Sequence, residues 1–427
     1  MKKRIALLLM TILLTVQFLD VQAVQRFPKP EFESGYVQPE TLQPSPRAEL
    51  LAVMDLVVLA AALAFITWLV LKKRSRMGVF WTSLFSLAYF GFYREGCICS
   101  IGAIQNVTLA LFDSSYVIPL TVIGFFILPL VSTLFFGRTF CAGVCPFGAM
   151  QDLVAFKPQR MGVRLNAVLG LIPYLYLGLA VLYAATGTDF VICRYDPFVG
   201  IFRFDASLGM FLFAGILLIS GIFIARPYCR FLCPYGVLLN WMSRFSWRHL
   251  TITPAGCIQC RLCENSCPYD AIDMPVTEKN PEERPVTLRK LILISLLVPL
   301  FALFGGFTGS QLHETLAGVN GKVQLARTLL DTAALAVKPE PFEITAYKSS
   351  GKPASQVFAE ATEVLRQFYT GGWILGCFVG LVFGIILARR LIISYNADYT
   401  PNKGRCFSCA RCVDYCPVTP LPKEERI

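Results

Sequence analysis

Charge is what this sequence has little of. Only 16% of its 427 residues are Asp, Glu, Lys or Arg, against 55% apolar residues and a mean hydropathy of +0.57. Soluble globular chains carry about a quarter charged residues, so a water-soluble enzyme is excluded. Histidine is scarcer still. Neither His249 nor His313, the two present, lies in an apolar run, so no haem held by paired histidines inside a membrane is expected. Short-period Gly or Pro repeats are missing, which excludes a collagen-like chain, and the Phe and Leu content excludes disorder. Acidic residues are outnumbered by basic ones, 28 to 39. No nucleic-acid-binding element accompanies that excess, so no nucleic acid partner is expected, and in membrane chains such an excess orients loops. Cysteine, by contrast, is plentiful at 16 residues. Thiolate-ligated metal in a polytopic α-helical membrane protein is the class these quantities leave.

The N-terminus opens with Lys2, Lys3 and Arg4, continues through an apolar run from Ile5 to Leu19 and ends in Val21-Gln22-Ala23. That is a signal-peptide pattern over 1–23. An uncleaved first membrane helix is the alternative, but its run is short for a core of about 30 Å. Residues 24–48, with five prolines, form an exported linker. Seven apolar stretches follow, near 50–71, 78–93, 116–136, 165–186, 206–226, 289–307 and 371–393, each close to the roughly 20 residues of a spanning helix. With the linker outside, the inner segments carry 24 Lys and Arg and the outer ones 12. That asymmetry predicts a multi-pass protein of the bacterial cytoplasmic (inner) membrane, in contact with membrane lipid, with a cytoplasmic C-terminus. The expected organisation is a membrane domain over 49–226, a first cytoplasmic ferredoxin half over 227–288 and a helix over 289–307. A periplasmic loop domain over 308–370, a helix over 371–393 and a second cytoplasmic ferredoxin half over 394–427 complete it.

Cys257-x-x-Cys260-x-x-Cys263-x-x-x-Cys267-Pro268 and Cys406-x-x-Cys409-x-x-Cys412-x-x-x-Cys416-Pro417 both follow the bacterial ferredoxin spacing. Three closely spaced thiolates wrap three corners of a cubane, and the fourth serves the neighbouring cluster. Two [4Fe-4S] clusters are therefore expected, one on Cys257, Cys260, Cys263 and Cys416, the other on Cys406, Cys409, Cys412 and Cys267. Zinc could use four thiolates, but two copies of this run with Pro after the fourth Cys are not a zinc pattern. A helical hairpin between the halves would return both to the cytoplasmic face, where they would form one ferredoxin-like module.

Phe140-Cys-Ala-Gly-Val-Cys-Pro-Phe-Gly-Ala-Met-Gln-Asp152 aligns at an offset of 88 with Tyr228-Cys-Arg-Phe-Leu-Cys-Pro-Tyr-Gly-Val-Leu-Leu-Asn240. Duplicated helical hairpins explain the match. Pro146 and Pro234 suit the first position of a helix, which would place Cys145 and Cys233 at helix N-termini, where the dipole favours thiolate. Two readings of Cys141, Cys145, Cys229 and Cys233 stand open here: an additional iron or iron-sulfur centre, or packing and disulfides. Outer loops ahead of each copy hold Cys97, Cys99 and Cys193, an outer redox site, a disulfide with a spare thiol, or structural residues of the loops.

These paired motifs with their downstream ferredoxin runs resemble the membrane part of the NosR/NapH-type polyferredoxins over roughly 78–290 and the C-terminal tail. The resemblance implies electron transfer at or across the cytoplasmic membrane, serving respiratory enzymes in the periplasm, with the eight ferredoxin cysteines as ligands and a redox or structural role for the Cys-Pro motif cysteines. The linker at 24–48 is too short for the flavin-binding domain that NosR-type members carry, and a membrane hairpin divides the ferredoxin halves here.

Other features have bland counterparts. Cys377, in the last span, is expected to be a packed thiol. The amphipathic runs Val323, Leu329, Leu330, Ala333 and Val357, Ala361, Val364, Leu365, Phe368 pack a small cap, or present a surface to a redox partner protein of the periplasm or membrane. Asn106 and Asp196 are candidate contacts for a quinol headgroup. The expected function is an electron-transfer subunit linking cytoplasmic clusters or the quinol pool to a periplasmic redox partner, rather than a stand-alone enzyme. A redox-sensing regulatory membrane protein and a thiol-disulfide reductant exporter are the alternatives.

Overall fold

The computed structural model describes residues 49–96, 100–156, 158–252, 257–275, 284–335, 344, 347–348, 351–389 and 398–418. The expected signal peptide, the linker at 24–48, Cys97 and Cys99 lie outside the described residues. Among the described residues the fold is helical throughout, apart from one antiparallel strand pair. Four helices are long and apolar enough to cross a membrane: Leu50–Lys73, Leu165–Ala185, Arg289–Gln311 and Ala354–Arg389.

The remaining apolar stretches fold differently from simple spans. The 78–93 stretch begins as the α-helix Arg76–Ser86 and finishes as the π-helix Leu87–Tyr93, with Thr82, Ser83 and Ser86 buried against protein. The helix Leu120–Phe136 has 17 residues. The helix Leu208–Gly221 meets Pro197–Arg203 at 110°. Local chemistry makes that break. Phe204 is left-handed at φ 54, where a non-glycine residue ends a helix, and the Ser207 hydroxyl accepts from the Met210 amide to start the next. Phe198 and Phe202 are wholly buried, so the short helix turns into the protein.

The sequence duplication is a duplication of three-helix units. Leu120–Phe136 leads into Thr139–Gly143 and Pro146–Val154, and Leu208–Gly221 leads into Pro227–Phe231 and Pro234–Arg244. In both copies Pro opens the third helix, with Cys145 or Cys233 extended at its N-cap. That is the placement expected from the proline rule.

At the C-terminal side, Arg284–Gln311 packs along Ala354–Arg389. Gly305 and Gly309 face Gly372, Gly376 and Gly380, and a Cβ at any of these would overlap the opposite backbone. Small residues every fourth position allow such an approach. The second helix, 36 residues long, starts well before the apolar stretch at 371. Its first turns belong to the 308–370 segment, where Val357, Ala361, Val364 and Phe368 pack with Ala317, Val323 and Ala326 and with Leu182 and Tyr183. Leu330, counted in the amphipathic stripe, is exposed. A single core runs from the membrane helices into both ferredoxin halves.

Candidate metal centres

The two ferredoxin halves meet although Cys267, the last cysteine of the first, stands 139 positions before Cys406, the first cysteine of the second. Ile272 pairs with Pro401 and Asp273 with Thr400 in an antiparallel ladder, extended by Asn402 N–H donating to the Ala271 carbonyl at 2.7 Å. The short helices Leu262–Ser266 and Arg411–Asp414 pack together, and the Tyr269 and Phe407 rings lie 4.8 Å apart. Gln259 and Arg261 in one loop and Ser408 and Ala410 in the other are all left-handed, at φ 52 to 61. Such residues, rare outside glycine, curl each loop and turn backbone N–H groups inward, a concavity that suits anionic clusters. The Ser408 amide donates to Cys406 Sγ at 3.4 Å.

The thiols come together across the halves. Cys416 lies beside Cys263, with Cys257 and Cys260, and Cys267 lies beside Cys409, Cys406 and Cys412. Burial, and behind it the neighbouring thiols Cys409 and Cys267, push the Cys406 thiol up to about 12. Burial likewise raises Cys267 and Cys412. Metal is what makes thiolates favourable in such a setting, and the donor set fits iron-sulfur clusters.

The Cys-x-x-x-Cys-Pro cysteines also converge. Cys233 interacts with Cys229, Cys145 and Cys141, and Cys141, Cys145 and Cys233 are buried. None of the described cysteines forms a disulfide. Donors are directed at three of the four sulfurs: Gln151 Nε2 to Cys229 at 3.2 Å, the Gly236 amide to Cys233 at 3.3 Å, and Arg138 Nη2 to Cys141 at 3.9 Å. Among the described residues no three His, Cys, Asp or Glu side chains converge tightly enough for a single metal ion.

Two arginines that the sequence reading passed over frame this quartet. Arg138 and Arg226 stand three residues before Cys141 and Cys229, at the same offset of 88. Arg226 is wholly buried. It holds Asp152 through Nε and Nη2 at 2.9 and 2.7 Å and donates from Nη1 to the Cys141 carbonyl. Arg138, 4% exposed, donates to the Gly404 carbonyl at 3.1 Å and stacks on Phe407 at 4.2 Å. Phe407, next to Cys406, therefore carries both guanidinium groups on its ring and joins the quartet to the second ferredoxin loop.

On the far side of the quartet, a cavity of about 190 Å³ is lined by Asp55, Arg94, Asn106, Cys193 and Asp196, among others. Asn106 and Asp196, singled out from the sequence, thus share one site with Cys193. Two tyrosines of the second repeat reach that side. Tyr228, preceding Cys229, donates to Asp196 at 3.0 Å. Tyr235, two residues after Cys233, donates to the Phe126 carbonyl at 2.7 Å and meets Ser100. Cys377 packs against Gly306, the structural role expected of it.

Comparison with known proteins agrees with this geometry. A family profile described as a 4Fe-4S binding domain matches residues 117–163 and 206–253, the two units that hold Cys141/Cys145 and Cys229/Cys233. A second 4Fe-4S binding profile matches 250–273, with Cys257 to Cys267. The chain is 32% identical to Protein NirI of Paracoccus denitrificans over 53% of its length and 35% of that protein. It is 27% identical to Regulatory protein NosR of Stutzerimonas stutzeri over 47% and 29%. With Methylamine utilization ferredoxin-type protein MauN of Paracoccus denitrificans it shares 26% over 36% and 56%. The chain thus spans about a third of NirI and of NosR. No solved structure matches. The matched segments coincide with the duplicated units, and not only with the ferredoxin spacing that soluble proteins share. The chain is therefore similar to the NosR/NapH-type membrane 4Fe-4S polyferredoxins, and the comparisons support a bacterial membrane protein with an iron-sulfur electron-transfer role.

Proposed function

We propose that this protein carries electrons through the cytoplasmic membrane, between [4Fe-4S] clusters at its cytoplasmic face or the quinol pool and a redox partner in the periplasm, as a subunit of a respiratory system. One cluster is held by Cys257, Cys260, Cys263 and Cys416, the other by Cys406, Cys409, Cys412 and Cys267. The observation that carries this reading is the reciprocal closeness of Cys416 and Cys267 to the opposite half's thiols. Cys141, Cys145, Cys229 and Cys233 hold a third iron-sulfur centre. Supporting it are the four converging sulfurs, the three donors aimed at them and the 4Fe-4S profile over both units.

When bound, these clusters each supply one-electron transfer. The chain's own residues bury them, orient them and shorten the gaps. A hydrocarbon core of about 30 Å is wide for a single step, but Phe407 links the second ferredoxin loop to the quartet and Tyr228 links the quartet to the Asp196 cavity. The cavity's carboxylates and Asn106 suit a headgroup with exchangeable hydroxyl protons, such as a quinol.

The word regulatory in the name of NosR favours one second reading, redox sensing, and one measurement separates the two. Protein reconstituted in vesicles with quinol and an impermeant outer electron acceptor should show catalysed, continuous acceptor reduction and more iron than two cubanes contain. Clusters that reduce once and turn over no further would favour sensing over transport.

A further inference from the structure

Within the duplicated units the charge balance is not duplicated. The first unit's Asp152 aligns with Asn240 of the second. Arg226 reaches into the first unit and finds Asp152. Its counterpart Arg138 reaches toward the second, where Gly236 and the Cys229 carbonyl lie close by, and shares a cavity with Asn240, a neutral amide whose Oδ1 accepts from Arg244 at 3.1 Å. Among the described residues no carboxylate pairs with Arg138, and its Nε has no hydrogen-bond partner. A guanidinium 4% exposed without a counter-ion is costly. One carbonyl and one aromatic face offset only part of that cost. The remaining neighbours are sulfurs: Cys141 Sγ at 3.9 Å, with Cys229 of the same quartet and Cys406 of the second ferredoxin loop also within reach of its charge.

We propose that Arg138 is the uncompensated counter-charge of the four-cysteine centre, and that Asn240, standing where the other unit has a carboxylate, keeps it so and thereby raises the centre's reduction potential. This rests on the proposed third centre. A centre of iron and sulfide on four thiolates is a net anion, and reduction adds one electron and one more negative charge. A fixed buried cation stabilises the reduced form more than the oxidised one, by Coulomb attraction in a medium that screens poorly. The sign follows: removing the cation, or neutralising it with a nearby carboxylate, lowers the potential. Arg226 contributes less, because Asp152 already cancels its charge.

The test uses full-length protein in nanodiscs, with iron content and redox titration followed by electron paramagnetic resonance. The doubly substituted Cys145→Ala/Cys233→Ala protein identifies which signal belongs to the quartet, by its loss together with part of the iron. Arg138→Gln should move that signal's midpoint to lower potential, Asn240→Asp should move it in the same direction, and Arg138→Lys, which keeps the charge, should leave it near wild type. Arg366→Gln, at an exposed site on the cap, sets the size of a nonspecific shift. If Arg138→Gln does not retain the centre, the Asn240→Asp midpoint decides. With iron content intact, an Asn240→Asp or Arg138→Gln midpoint no different from Arg366→Gln overturns the counter-charge assignment while leaving the centre. Unchanged iron in Cys145→Ala/Cys233→Ala removes the centre itself, and the assignment with it.

Discussion

Asp152 ties its repeat unit to the ferredoxin half. It binds Arg226 through both oxygens, lies 3.8 Å from Arg76 and accepts from Tyr269 in the ferredoxin half at 3.1 Å. Burial works to raise its pKa, but the Arg226 charge and hydrogen bond outweigh burial and hold it below the ordinary carboxylate value. A depressed folded value means the pair stabilises the protein at every pH above the unfolded pKa of about 3.9, and that this contribution fades only as pH falls through the lower folded value. Asp152→Ala would leave a wholly buried guanidinium unpaired. We expect a loss of about 3–5 kcal/mol, read as a drop in thermal unfolding temperature in detergent at neutral pH. The difference from wild type should shrink in strong acid, where Asp152 is protonated anyway. Sequence alone offered this residue only as the end of an aligned repeat. Its partner Arg226 was visible at the same offset of 88, but which of many arginines is buried depends on packing that no periodicity records.

Elements whose signal is local were legible, and those whose signal is tertiary were not. Pro146 and Pro234 after cysteine place two helix starts because the ring itself sets φ and needs no hydrogen-bond donor. The ferredoxin runs declare their loops by ligand spacing. Hydropathy, by contrast, does not separate an apolar side chain facing lipid from one facing protein. The 78–93 stretch therefore resembled a span although a face bearing Thr82, Ser83 and Ser86 is buried, and the 110° bend at Phe204 to Ser207 was hidden inside a loop. The 36-residue helix Ala354–Arg389 reads in sequence as an amphipathic run and a separate span because its first half alternates polar with apolar residues and its second half is almost wholly apolar. Its glycines at 372, 376, 380 and 384 were in view, and their meaning needed Gly305 and Gly309 opposite. We expect Gly376→Leu to open that hairpin, since a branched side chain has no room between the backbones. Gly306→Cys beside the native Cys377 provides the check. Oxidation should block alkylation of Cys377 in that background and fail to block it once Gly376→Leu is added.

At the scale of the whole molecule, the hairpin and the split module depend on one another, because the last helix is what carries residues 398–418 back to the Ile272 strand. The residues of the proposed electron path then fall in order: Cys257 to Cys263 with Cys416, Cys406 to Cys412 with Cys267, the quartet, and the Asp196 cavity. That order has a use only if the ferredoxin halves and the 308–370 segment lie on opposite sides of the membrane, and reporter fusions at Lys348 and Arg405 should accordingly give opposite signals. The proposed exchange of fourth ligands makes a stronger demand. Truncation after Asn402 keeps the membrane helices, the hairpin and the paired strand residues Thr400 and Pro401, while removing Cys406, Cys409, Cys412 and Cys416. On the proposed ligand sets each cluster loses ligands from that one cut: the second its three closely spaced thiolates, the first its fourth. Iron-sulfur absorbance and low-temperature resonance spectra of the truncated protein should show neither ferredoxin-type cluster at normal occupancy, with the quartet's iron still present. One intact [4Fe-4S] signal arising from Cys257, Cys260, Cys263 and Cys267 would mean that each half closes its own cluster, and the contacts of Cys416 and Cys267 with the opposite thiols would then be packing alone.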